Sequence, residues 1–135
     1  MTNINLSEYY LSNNEQDQLS KFINHAVNNL KNDKMIILLG SGKNGKTSLM
    51  NEIKRHLNDE SLYCVRLNLG DFLNKPHRKM VFLDDGWLCR SKDTCTLKYL
   101  LANKTENIIA TANTLTGIDS GLLEKSIIIR MKHVF

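Results

Sequence analysis

Between Glu15 and Leu30 the apolar residues Leu19, Phe22, Ile23, Ala26, Val27 and Leu30 recur at spacings of three and four. That period lines them up as one stripe of an amphipathic helix, with the stripe turned toward a core. His25 falls on the polar side and reads as a surface histidine, with no second His or Cys close enough in sequence to make a metal site. After Asp33 the pattern changes to short apolar runs, MIILL (35–39), YCVRL (63–67), MVFLD (80–84), NIIAT (107–111) and SIIIR (126–130). Runs of this length, rich in β-branched residues and separated by helix-like stretches, predict an α/β fold with buried strands in a parallel sheet. The intervening helices are expected over Lys46–Leu57, with Leu49, Ile53 and Leu57 on one face, and over Thr94–Ala102, with Leu97, Leu100 and Leu101.

Composition narrows the class. With 135 residues, 41% hydrophobic and 24% charged, the chain fits one ordinary globular domain. The single proline, Pro76, and the lack of repeats or Gly/Ser-rich stretches leave no internal boundary visible. One domain over 1–135 is therefore expected, with 1–34 as a helical segment packed on it. The longest apolar run, Met35–Leu39, is far shorter than the roughly 20 residues that span a bilayer, and the start MTNINLSEYY lacks the basic and apolar regions of a secretion signal. Cys64, Cys89 and Cys95 form no CxxC pair and read as reduced thiols. These features predict an intracellular protein, neither membrane-inserted nor secreted. The net charge of +4 and pI near 9.0 suggest an anionic partner, for which a nucleotide phosphate serves as well as a nucleic acid.

The first strand runs straight into Gly40-Ser41-Gly42-Lys43-Asn44-Gly45-Lys46-Thr47, followed by Ser48. This satisfies G-x-x-x-x-G-K-[ST] in the strand–loop–helix setting that the Walker A phosphate loop needs. The glycines allow backbone N–H groups to turn inward as an anion nest, Lys46 reaches the β- and γ-phosphates, and the Thr47 hydroxyl ligates Mg²⁺. Met80-Val81-Phe82-Leu83-Asp84-Asp85 is an apolar strand tipped by two carboxylates, the Walker B arrangement. In it Asp84 holds the Mg²⁺ shell and Asp85 polarises the attacking water. Ile108-Ile109-Ala110-Thr111-Ala112-Asn113 ends in a neutral amide, which at the tip of an inserted strand orients water without adding negative charge; Asn is equally a common turn former. Trp87 reads as a packing residue or a flank to the nucleotide.

GSGKNGKT, MVFLDD and IIATAN, in that order, resemble motifs A, B and C of superfamily 3 helicases, the ring-forming ATPases of small viruses and some phage and plasmid replication proteins. The resemblance covers roughly Met35 to Phe135 and implies a minimal or truncated form of that core. Its fold would be a three-layer P-loop NTPase of the additional-strand, AAA+-like type, with a five-stranded parallel sheet of order 5-1-4-3-2. It further implies ATP and Mg²⁺ as cofactors and Asn113 as the sensor on strand 4. Lys125 stands where the family carries an arginine finger that acts across a subunit interface. The implied partners are a nucleotide, single-stranded nucleic acid, and further copies in a ring or a larger replication protein. The stretch between Asp85 and Asn113 reads mostly as one helix, so the family's basic hairpin for nucleic acid looks shortened or absent. Lysine also lacks the rigid bidentate fork of arginine. Two alternatives stay open: a scaffold that keeps ATP binding without catalysis, and a small nucleotide kinase, although no Arg-rich lid is evident.

Overall fold

A strand made only of apolar residues has no face to give to water, and Met35–Leu39 is buried at every position. In the computed structural model the described residues are 11–28, 30–40, 46–57, 62–65, 80–83, 97–99, 101–102 and 107–131. They form α1 (Asn13–Val27), β1 (Met35–Leu39), α2 (Lys46–Leu57), β2 (Leu62–Val65), β3 (Met80–Leu83), α3 (helical residues 97–99 and 101–102), β4 (Asn107–Ala112), α4 (Ser120–Glu124) and β5 (Ser126–Arg130). The sheet order is β2-β3-β4-β1-β5 and every ladder is parallel. β1 thus lies between β4 and β5, while β4 separates it from β3. β2 begins one residue before the expected run, and Arg66 and Leu67 lie outside the described residues. β4 continues to Ala112, which pairs with Leu39.

Alternation along the strands sorts the core into two faces. Ile36, Leu38, Phe82, Ile109 and Ile129 pack with Leu19, Phe22 and Ile23 of α1 and Leu49 and Ile53 of α2. Ile37, Val81, Ile108 and Ala110 face the other way, toward Leu97 of α3 and Leu122 of α4. Helices therefore cover both sides of the sheet in three layers. α1 starts on a capping box: Ser12 Oγ accepts from the Glu15 N–H at 3.1 Å, and Glu15 Oε1 accepts from the Ser12 N–H at 3.1 Å.

The expected helical stripe ran to Leu30, but α1 ends at Val27 and Leu30 is 53% exposed. Asn28 Nδ2 donates to the Asn24 carbonyl at 2.9 Å, and the Leu30 N–H closes back on the His25 carbonyl at 2.7 Å. A side-chain amide competing for a helix carbonyl, followed by a six-to-one closing bond, is how a helix C-terminus terminates. His25 is exposed, as its position opposite the stripe requires.

The link from α1 to β1 is held by amides. Asn107, the first residue of β4, is 3% exposed. Its Oδ1 accepts from the Asn32 N–H at 2.7 Å and from Asn32 Nδ2 at 2.9 Å, while its Nδ2 donates to the Leu30 carbonyl at 3.0 Å. Asn32 Nδ2 also donates to the Phe22 carbonyl at 3.1 Å. Replacing Asn107 by Ala strands these buried groups and is expected to cost about 2–3 kcal/mol. Urea unfolding checks this, and a variant as stable as the parent would show that the amide pair contributes nothing.

Candidate nucleotide-phosphate site

α2 opens with a lysine where helices favour acidic residues, and its first turn contains no acid at all. The positive end of the helix dipole repels an ammonium there, yet Lys46 is only 6% exposed. A cation in that position needs acceptors. Lys46 Nζ donates to the Gly40 carbonyl and, at 3.2 Å, to Asn113 Oδ1. Gly40 is the residue that follows β1, and Asn113 is the residue that follows β4, so two neighbouring parallel strands deliver both acceptors to one place. Lys46 and Asn113, chosen from separate motifs, therefore meet. Ser48 is exposed in the first turn of α2. Ser41, Gly42, Lys43, Asn44, Gly45, Asp84 and Asp85 lie outside the described residues, as does the side chain of Thr47, and so does Trp87.

A transverse row of hydrogen bonds fixes the strand ends around this point. The Gly40 N–H donates to the Ala112 carbonyl at 3.0 Å, and the Met131 N–H donates to the Leu39 carbonyl at 2.8 Å. One residue back, the Arg130 N–H donates to Glu15 Oε2 at 2.8 Å. The second oxygen of the α1 capping box thus reaches the open edge of β5. The pattern Ser12-x-x-Glu15 signals the cap in the sequence, but the partner of its other oxygen lies 115 positions away and leaves no local signal. Beyond Asn113 the chain turns through Gly117, whose φ of 86° suits a residue without Cβ.

Lys125 sits at the opposite end of the sheet. It caps α4, is exposed, and its carbonyl accepts from the Met35 N–H at 2.9 Å, at the start of β1. Roughly 13 Å of strand, at about 3.3 Å per residue, separates that point from the end where Lys46 is held. The structure does not bring Lys125 to the Lys46 site of its own chain. Beside it lies a cavity of about 320 Å³ lined by Asp33, Lys98, Leu101, Glu124 and Lys125. The corner is braced by Asp119, whose carboxylate accepts from the Leu122 N–H at 3.1 Å and pairs with Lys98 at 3.0 Å. Gly121 leaves room for that pair, since a Cβ there would stand 2.9 Å from Asp119 Oδ2 and 3.0 Å from Lys98 Nζ.

Among the described residues there is no group of three His, Cys, Asp or Glu side chains placed to hold a metal ion, and no helix long and apolar enough to cross a membrane. No protein-family model and no curated protein matches the chain. The chain is similar in structure to C. elegans PCH-2, with a TM-score of 0.59 at 18% identity over 91% of its length. That likeness shows the fold, an α/β arrangement of P-loop, AAA+-like type. The chain spans 42% of the length of PCH-2.

The brace at α4 has a pH signature. The hydrogen bond from Lys98, then that from the Leu122 N–H, holds the Asp119 carboxyl below its ordinary value of 3.8. A depressed carboxyl stabilises the fold above its unfolded pKa, and the contribution is lost as pH falls through the folded value. Asp119→Asn keeps the cap but not the ion pair. Melting curves of the two proteins are expected to differ above pH 3.8 and to converge in stronger acid; equal melting temperatures at neutral pH would show that the pair contributes nothing.

Proposed function

We propose that the chain binds Mg-ATP at the end of β1 and hydrolyses it. The observation that carries this reading is the buried Lys46 ammonium, set at the start of α2 between the Gly40 carbonyl and Asn113 Oδ1. An anion seated on the loop N–H groups compensates both that charge and the helix dipole. The backbone from Gly40 to Gly45 cradles the phosphates, with Ser41, Gly42, Lys43 and Asn44 between the glycines, and Lys46 turns to the β- and γ-oxygens. The Thr47 hydroxyl and Asp84 carboxylate are hard oxygen donors of the type that Mg²⁺ takes. Bound there, the ion would neutralise the charge on the phosphates. Asp85 draws a proton from water as its oxygen attacks the γ-phosphorus, and the bond to the ADP oxygen breaks. Asn113, one strand away, orients that water.

The order of the three motifs supports a superfamily 3-like core working in viral or mobile-element replication on single-stranded nucleic acid. Lys125, out of reach of its own Lys46, would serve the nucleotide of a neighbouring copy, which makes a homo-oligomer the active form. A point charge there is weaker than a planar fork. ATP binding without detectable turnover would replace the hydrolase by an ATP-binding scaffold.

Lys46→Ala is expected to remove Mg-ATP binding while far-UV circular dichroism stays that of the parent; a folded variant with parental affinity would remove the phosphate-loop assignment. Asp85→Asn should bind ATP normally and turn it over at least about tenfold more slowly, which is about 1.4 kcal/mol of barrier. Steady-state phosphate release reads this directly. Turnover per chain should also rise with chain concentration, and Lys125→Ala should flatten that rise. Finger residues are worth about 10³–10⁵ in rate elsewhere, so a flat profile in the parent would exclude a trans-acting residue.

A further inference from the structure

Among the described residues three polar side chains are buried, those of Lys46, Asn107 and Thr111. Lys46 and Asn107 have the partners given above. The Thr111 hydroxyl, in a residue only 6% exposed, has no hydrogen-bond partner among the described residues. A hydroxyl in that position costs stability unless water or a ligand meets it. Valine has the same shape and avoids the cost, so the fold alone gives no reason for an oxygen there.

Thr111 is in register with Leu38 of β1 and follows Ala110, whose partner is Leu83 at the end of β3. Leu38 and Ile109 belong to the side of the core that α1 and α2 cover, whereas Ile108, Ala110 and Ala112 belong to the other. Alternation therefore turns Thr111 toward the α2 side, as it does Ile109. Asn113, two residues further on, shares that side, because its Oδ1 accepts from Lys46 Nζ of α2. The two residues stand one pleat apart, about 6.6 Å along the strand, with Thr111 the inner one. Two hydrogen bonds of about 2.8 Å meeting at one water oxygen span most of that gap, and the longer Asn113 side chain closes the rest. With Oδ1 engaged by Lys46, Asn113 Nδ2 is the group that donates to such a water.

We propose that Thr111 is a further catalytic residue, whose hydroxyl holds from below the water that Asn113 orients for hydrolysis. This rests on the proposed ATP hydrolysis at the end of β1. One hydrogen of the water points to Thr111 Oγ1, and one of its lone pairs accepts from Asn113 Nδ2. The second hydrogen goes to the carboxylate base and the second lone pair to the γ-phosphorus. The new O–P bond forms as that proton leaves, and the bond to the ADP oxygen breaks. Thr111 neither gains nor loses a proton; it fixes the direction of attack. Because the hydroxyl touches the water and not the nucleotide, it bears on kcat and leaves ATP affinity alone.

Thr111→Val deletes the hydroxyl at constant shape, and Thr111→Ser keeps the hydroxyl while deleting a methyl. Melting temperature, kcat for phosphate release and equilibrium Kd for ATP are measured on the full chain and on both variants. The Val variant should melt at or above the parental temperature, since no bond within the protein is lost. Its kcat should fall about tenfold or more at unchanged Kd, since the attacking water loses its direction. The Ser variant should melt below the parent for want of a buried methyl, yet keep most of the parental kcat. A role confined to packing would make stability and rate fall together instead of crossing. A Val variant that melts below the parent overturns the proposal, because the hydroxyl is then a structural partner. Parental kcat in the Val variant, a raised Kd, or a Ser variant no more active than Val overturns it as well. If the parent chain releases no phosphate, the hydrolysis reading itself falls, and Thr111 falls with it; parental turnover with an indifferent Val variant removes Thr111 alone.

Discussion

An ammonium can be buried only where acceptors are already waiting for it, and the end of β1 is organised around that constraint. Lys46 is nearly inaccessible, yet it stands at the start of a helix whose dipole opposes it. The Gly40 carbonyl is freed to receive it because β1 stops there. The Asn113 amide is within reach because β4, not β3, lies beside β1. A sheet with consecutive strands side by side would have put a different residue next to the lysine. Insertion of β4 is therefore a chemical decision as much as a topological one.

Parallel strands also divide the work between two ends of one sheet. At the C-terminal ends, Leu39, Gly40, Ala112 and Met131 are tied by backbone bonds into a row, which the Glu15 carboxylate extends by accepting from the Arg130 N–H, and little freedom is left beside Lys46. At the N-terminal ends the bonds are made by amide and carboxylate side chains, Asn107 with Asn32 and Asp119 with Lys98. In the first, Lys46 and Met131 are buried; in the second, Asn107 is buried and the Asp119–Lys98 pair is partly open to water. Two chemically distinct surfaces follow, one built around the buried Lys46 ammonium and the other charged in both signs.

The elements were legible in the sequence where burial is two-sided, because a strand covered on both faces must be an unbroken apolar run, as Met35–Leu39 is. Lys46–Leu57 was legible for a different reason: its Leu49 and Ile53 repeat at helix spacing and both are fully buried. Leu30 misled because its spacing fits the stripe, whereas the Asn28 side chain ends the helix before it. Lys46 and Asn113 could be picked from their motifs, but they stand 67 positions apart, and that they touch depends on β4 pairing with β1. Glu15 and Asn107 escaped notice altogether. Each acts through a partner remote in sequence, so the Ser12-x-x-Glu15 cap pattern says nothing of Arg130, and Asn107 looks like any other strand residue.

The position of β1 bears on how the protein comes into being. Its two neighbours are β4 and β5, which are the last strands along the chain. As the polypeptide leaves the ribosome, the most apolar strand emerges early and stays without either lateral partner until residues 107–130 have followed. Over that interval its N–H and C=O groups and its isoleucines and leucines are available to any other extended chain nearby. Closure must then span most of the sequence at once, the slow, non-local kind of pairing. The same central placement that shields β1 in the finished fold makes it the most vulnerable segment of the nascent one.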